Sequence, residues 1–218
     1  VDGENSREDV EPSTLLKSIR PSTANQDIVK FRAFISADIE PSDALVGVLD
    51  ELARSRADLK IVKPELLHIT LKFLGDTDES LVDEVVTRIS SSSRGIEPFR
   101  IRLRGMGAFP SMSNIRVVWV GIEDAKPLQD IAATLDASMN DLGFERDRKG
   151  FVPHLTLART RSARNMANVQ EILRNKAASD FGEYLIDKIL LKKSVLSPHG
   201  PAYSTVREHQ LGGIHRSV

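Results

Sequence analysis

The sequence predicts an α+β protein of two similar lobes, with helices grouped on antiparallel sheets. Three observations carry that reading. The order strand, helix, strand, helix occurs twice along the chain. The second strand of each half bears one pattern: "LLHITLKFLG" from Leu66 to Gly75, and "VPHLTLART" from Val152 to Thr160. The motif histidines, His68 and His154, stand 86 residues apart, too far for a solenoid repeat and suited to two lobes that each donate one such strand.

The elements follow in order. Residues 1–29 lack sustained periodicity and are rich in Pro, Ser and Thr around one apolar patch at Leu15, Leu16 and Ile19. They predict a loosely ordered extension. Ordered structure begins at "KFRAFISADI", where a period of two puts Ala33, Ile35, Ala37 and Ile39 on one face and Arg32, Phe34, Ser36 and Asp38 on the other. Ser42 is a candidate N-cap for a helix with Leu45, Val48, Leu49 and Leu52 on one side. The first histidine strand comes next, then a helix over about 78–90. Strands over about 99–106 and 116–120 flank an expected loop, "GAFPSMSN". A helix over about 127–142 ends near Gly143. The second histidine strand, a helix over about 168–177 and two closing strands, near 184–195 and 202–207, complete a domain spanning 30–211. Residues 212–218 form a tail.

The chain has 218 residues, 40% hydrophobic and 28% charged, which fits a globular protein large enough for two intimate lobes. It has no cysteine, which excludes disulfides, thiolate catalysis and sulfur-ligated zinc. No apolar run approaches the roughly 20 residues of a membrane span. The opening "VDGENSREDV" has neither the basic nor the apolar region of a secretory signal, so the expected compartment is the cytoplasm. Residues 1–29 hold three basic and six acidic side chains, leaving the remainder at +2. That body suits a small anionic ligand or an RNA end better than a long duplex.

In an extended strand, residues i and i+2 share a face. His68 and Thr70 therefore point one way, with Lys72 beyond them, while Leu67, Ile69, Leu71 and Phe73 point into a core. His154 and Thr156 repeat the arrangement, backed by Leu155 and Leu157. Two imidazoles can accept and donate protons near neutrality. Two hydroxyls can donate hydrogen bonds to an oxyanion. A phosphodiester in line between the histidines is the natural fit. One histidine takes a proton from water or an attacking hydroxyl; the other protonates the leaving oxygen. The hydroxyls hold the nonbridging oxygens, and no metal or other cofactor is needed.

Ordinary residue usage gives the pattern His-apolar-Ser/Thr-apolar after a histidine roughly 2–3% of the time, so two occurrences among five histidines are a chance event on the order of 0.5%. His199, His209 and His215 lack the pattern. No second histidine or carboxylate joins His68 at i+2, so no metal site is expected there. "GIHRSV" and "SPHG" pair His with Ser without an orienting acid, and neither phosphate-binding glycine motif occurs.

On these residues the chain resembles the two-histidine phosphoesterases, most closely the LigT-like RNA 2′,3′-cyclic phosphodiesterases, also called 2′-5′ RNA ligases. The pieces that carry the resemblance are "FRAFISADI", "LHITLKFLGD", "IRVVWVG", "PHLTLAR" and "LLKKSVLSPHGPAYSTV", in consistent order over about 30–211. The resemblance implies a bilobal α+β fold with pseudo-twofold symmetry, two antiparallel sheets facing a central cleft and helices outside. It implies opening of a ribose 2′,3′-cyclic phosphate to a 2′-phosphate, with His68 and His154 as the acid–base pair and Thr70 and Thr156 as phosphate donors. The implied partners are RNA ends or nucleotides carrying that group, tRNA fragments among them, met by a monomer away from membranes.

Other residues are secondary candidates. The resemblance makes Arg159 a candidate for holding the nucleotide, although strict alternation would place it opposite His154 unless the strand bulges or ends. Phe34, on the polar face of the first strand, is a candidate for base stacking. Lys72 is expected as a solvated rim lysine, Arg116 is a candidate to reach the cleft, and Trp119 is expected in lobe packing. The rival readings are 2′-5′ RNA ligation or hydrolysis of another cyclic phosphate or 2′-5′ linkage in the same site, and a non-catalytic module that binds RNA ends or nucleotides.

Overall fold

The computed structural model describes residues 29–197 and 200–213. The expected extension, except Val29, lies outside the described residues, as do residues 214–218 of the expected tail, His199 and His215. Two antiparallel sheets form the frame. The first has four strands in the order β3-β1-β8-β9: His68–Asp78, Lys30–Asp38, Lys188–Ser197 and Gly200–Gln210. The second has five, β2-β6-β5-β4-β7: Leu59–Ile61, His154–Thr160, Asn114–Glu123, Phe99–Ser111 and Asp180–Ile186. Strand for strand, β3-β1-β8-β9 corresponds to β6-β5-β4-β7, and β2 is added at the edge beside β6. The predicted α+β class with two sheets is therefore the observed one.

The helices form where the apolar spacing puts them. In α1 (Asp43–Arg54), the Ser42 hydroxyl accepts from the Leu45 N–H at 3.3 Å, satisfying a donor the helix leaves open. Leu45, Val48, Leu49 and Leu52 are buried, as the periodicity requires, and each contributes about 1.5–3 kcal/mol of apolar burial. Helix α2 (Val82–Ser92) starts after a 3₁₀ turn, Glu79–Leu81, which takes up the first residues expected to be helical. Helix α3 (Lys126–Asn140) gives way to Gly143, whose φ of +87° turns the chain at no side-chain cost. Helix α4 is Met166–Asn175. A continuous apolar core joins helices and sheets, including Ile35, Ile69, Leu128, Leu135, Leu155 and Leu157.

Three elements differ from the sequence expectation. The segment expected as a loop, "GAFPSMSN", is mostly strand: β4 runs to Ser111 and β5 starts at Asn114. Its glycine serves packing instead, since a Cβ on Gly107 would stand 2.3 Å from the Trp119 ring lying across β4. The single closing strand expected over 184–195 is two strands in different sheets, β7 and β8, parted at Asp187. Strand β2 is too short at three residues to show a period.

Beyond β9, two backbone hydrogen bonds hold the end of the described chain. Leu211 N–H donates to the Asp187 carbonyl at 2.7 Å, and Gly212 N–H to the Ile96 carbonyl at 3.0 Å.

Candidate active site

His68 and His154 each open a strand, and each imidazole is anchored in the same way. The His68 Nδ1–H donates to the Leu66 carbonyl at 2.7 Å, and the His154 Nδ1–H to the Val152 carbonyl at 2.7 Å. Both acceptors lie two residues back, where the chain enters the strand. This bond sets the tautomer: in the neutral imidazole the proton sits on Nδ1 and Nε2 carries the lone pair. No described residue hydrogen-bonds either Nε2. Aromatic rings fix the imidazole planes. His68 lies 5.0 Å from Phe34 and meets Tyr203 edge-on at 5.3 Å, between ring centroids. His154 meets Phe109 edge-on at 5.0 Å, and Phe109 rests on Trp119 at 5.2 Å.

The alternation around the motifs is interrupted at matching points. Between β1 and β3, Ser36 pairs with Thr70 and Ile35 with Lys72, so Leu71 is an extra residue. Between β5 and β6, Trp119 pairs with Thr156 and Val118 with Ala158, so Leu157 is extra. Each bulge puts two consecutive residues on the buried side, Leu71 with Lys72 and Leu157 with Ala158. The following residue, Phe73 or Arg159, then returns to the histidine face.

This corrects two expectations from strict alternation. Phe73 is not in the core: it is 65% exposed, opposite Phe34 in the strand pairing. Lys72 is not at the rim: it is buried, and its Nζ reaches Asp136 Oδ1. Arg159 obtains the bulge its candidacy needed. Phe34 is only 4% exposed, beneath His68, Phe73 and Tyr203, so the free aromatic face at this position belongs to Phe73 and not to Phe34. Arg116 is exposed and is the extra residue where Pro110 pairs with Ile115 and Phe109 with Val117, so alternation from Trp119 does not assign its face. Trp119 packs as expected, with its indole N–H buried and unpartnered among the described residues.

Arg159 links the two motifs electrostatically. Its charge acts on His154 in its own sheet and on His68 and Tyr203 in the other. Strands β3 and β6 also approach one another directly. Both imidazoles are held below their ordinary pKa, first by burial and then by nearby cations: Arg159 for His154, Lys192 and Arg159 for His68. Asp38, opposite His68 in the pairing with β1, opposes the shift on His68. Asp38 is itself bridged to the buried Lys192 at 2.5 Å. Lys192 and Tyr203 escaped the sequence reading, because the sequence does not reveal that β8 and β9 flank β1. Among the described residues, no group of three or more His, Asp or Glu stands where it could hold a metal ion. None of the described helices is long and apolar enough to cross a membrane.

Two corresponding antiparallel sheets, each carrying a His-x-Thr strand whose imidazole is anchored in the same way, are the arrangement the two-histidine phosphoesterases imply. Comparison with known proteins agrees. Residues 41–193 match the 2′-5′ RNA ligase superfamily. An RNA 2′,3′-cyclic phosphodiesterase from Methanothermobacter thermautotrophicus is 35% identical over 185 residues, 84% of this chain and all of that protein. One from Aquifex aeolicus is 36% identical over 190 residues, 84% of this chain and 98% of its own. A crystal structure from Thermus thermophilus superposes with a TM-score of 0.70 at 30% identity, covering 84% of this chain and all of the other. E. coli LigT complexed with 3′-AMP shares the fold, with a TM-score of 0.68 at 19% identity over 85% of this chain and all of that one. The chain belongs to the 2′-5′ RNA ligase superfamily, in its LigT-like RNA 2′,3′-cyclic phosphodiesterase family.

Proposed function

We infer that this protein hydrolyses the 2′,3′-cyclic phosphate at the end of an RNA or on a nucleotide, leaving a 2′-phosphate, with two histidines and no metal. The observation that carries this reading is the identical Nδ1 anchoring of His68 and His154, each two residues before a threonine on the same strand face, with Arg159 acting on both imidazoles. One neutral imidazole takes a proton from water as its oxygen bonds to phosphorus. The bond from phosphorus to O3′ breaks, and the other, protonated imidazole gives O3′ its proton. Thr70 and Thr156 donate to the nonbridging oxygens, and Arg159 offsets the charge that builds on them. Phe73 offers its exposed ring to the base.

Both His–Thr couples come from one chain, so a monomer carries a complete site. RNA fragments with cyclic ends, tRNA fragments among them, fall in this substrate class, and the cytoplasm is a suitable place to meet them. Ligation puts a 5′-hydroxyl in place of water: the same base takes its proton as its oxygen bonds to phosphorus, the bond to O3′ breaks, and the same acid protonates O3′, giving a 2′-5′ linkage. A module that only binds needs positive charge, but not two titrating imidazoles.

The test is incubation of the purified protein with 2′,3′-cyclic nucleotides and a cyclic-phosphate-ended RNA, with and without EDTA. The expected product is the 2′-monoester at an unchanged rate in EDTA. A 3′-monoester, binding without turnover, or dependence on added metal would overturn the reading.

A further inference from the structure

We propose that Lys72 is a positioning residue: a buried strut from the His68 strand to the segment leading into His154, which sets the separation of the two imidazoles. This rests on the acid–base reading of the cleft given above. Lys72 lies two residues past Thr70, and the bulge at Leu71 turns it to the face opposite Thr70. Its side chain is 4% exposed. From there its Nζ donates to Asp136 Oδ1 on α3, the helix that packs on β3 and α2, at 2.5 Å and to the Glu145 carbonyl at 2.5 Å.

The same Asp136 oxygen accepts from the Asp147 N–H at 2.8 Å. Asn140 Nδ2 donates to the Phe144 carbonyl at 3.2 Å, and Asp147 in turn accepts from the Lys149 N–H at 3.1 Å. One ammonium thus fastens β3 to α3 and to residues 144–149, the start of the segment that ends at His154. The matching position in the second motif, after Leu157, is Ala158, which reaches nothing charged. Strand β6 thus has no counterpart of this ammonium at the matching position, and the tie to residues 144–149 runs from β3 alone.

The chemistry gives that tie a purpose. In-line displacement needs one Nε2 on the side of the attacking water and the other beside the leaving oxygen. A misplacement of about 1 Å can cost on the order of 100-fold in rate. A buried ammonium bonded to a carboxylate and a carbonyl has few alternative geometries, because each alternative leaves a charge unpaired in the interior.

The experiment compares wild type, Lys72→Met, and Lys72→Met with Asp136→Leu, the last leaving no unpaired charge. Two readouts are used. The first is amide hydrogen exchange over residues 144–153, which needs no activity. The second is kcat and KM on 2′,3′-cyclic AMP at least 15 °C below each Tm. The strut predicts faster exchange over 144–153 in both variants. It also predicts that the double variant regains Tm while kcat stays down at least tenfold, with KM within about threefold and both limbs of the pH profile unmoved. Unchanged exchange would overturn the proposal, as would a kcat that recovers together with Tm. If wild type fails to turn over cyclic AMP, the functional reading falls, while the exchange measurement still decides for or against the strut.

Discussion

Phe73 and Arg159 hold equivalent places in the two motif strands. Each lies five residues past a motif histidine and two past a bulged leucine, and each is turned back onto the histidine face. The lobes are thus alike in backbone and unlike in chemistry: an open aromatic ring stands on one side and a guanidinium on the other. A nucleotide has the same two faces, a base and a phosphate, so a nucleotide that met both side chains would lie in one direction.

Phe73→Ala removes the open ring. Base stacking on an aromatic is worth about 1–3 kcal/mol, so KM for a cyclic nucleotide rises roughly 5- to 160-fold while kcat changes little. Phe73→Trp keeps KM near wild type. Steady-state kinetics on cyclic AMP and on a base-free ribose cyclic phosphate check this; equal losses on both substrates would refute a stacking role.

His68→Ala and His154→Ala each remove one proton-transfer group while leaving its strand intact. Each lowers kcat by about 10²–10⁴-fold with little change in circular dichroism or Tm. The double variant loses much less than the product of the single effects, because one group alone cannot complete the transfer.

The dependence of kcat/KM on pH is a bell, since one imidazole must be neutral and the other protonated. Burial holds both below the ordinary value of about 6.5, so in the free enzyme the alkaline limb begins below that value and the rate falls through neutrality. Arg159 pushes both imidazoles the same way, so Arg159→Ala moves both limbs to higher pH as it lowers the maximum. Asp38 supports the charged form of His68, so Asp38→Asn moves one limb to lower pH and spares the other. Initial rates from pH 4.5 to 9 at constant ionic strength measure all three profiles.

Gly107→Ala places a methyl group 2.3 Å from the Trp119 ring, which must shift. Overpacking of this kind costs about 1–3 kcal/mol. Trp119 supports Phe109, and Phe109 the His154 ring, so the displacement travels to the site. A lower Tm accompanied by a fall in kcat is expected, and differential scanning calorimetry with kinetics on one preparation measures both.

The histidine–threonine couples were legible because period-two alternation is a local property of a strand: His68 with Thr70, and His154 with Thr156, share a face up to the first irregularity. Beyond the bulges the period fails. A bulge is chosen by the pairing with β1 or β5, which the sequence of β3 or β6 does not contain. Strict alternation therefore exchanges the faces of Lys72 and Phe73. The adjacent apolar pair Leu157 and Ala158 before Arg159 was the one local sign of a parity change. The amphipathic helices were legible within a few residues, because their burial follows from their own spacing. The break at Asp187 was not, because "YLIDKILLKK" is apolar enough to read as one strand, and only the tertiary fold sends its two halves to different sheets.

Strand β1 lies between β3 and β8, so the sheet that carries His68 is completed by residues near the C-terminus, and β2 from the first half closes the edge beside β6. Each half of the chain holds strands the other half requires. A nascent chain halted before residue 188 leaves β1 with a bare hydrogen-bonding edge and has no Lys192 or Tyr203 beside His68. A gene divided between the two motifs would yield two fragments, neither with an intact sheet around its histidine. The two motif strands look like separate modules on the page, but they are inherited and synthesised as one indivisible unit.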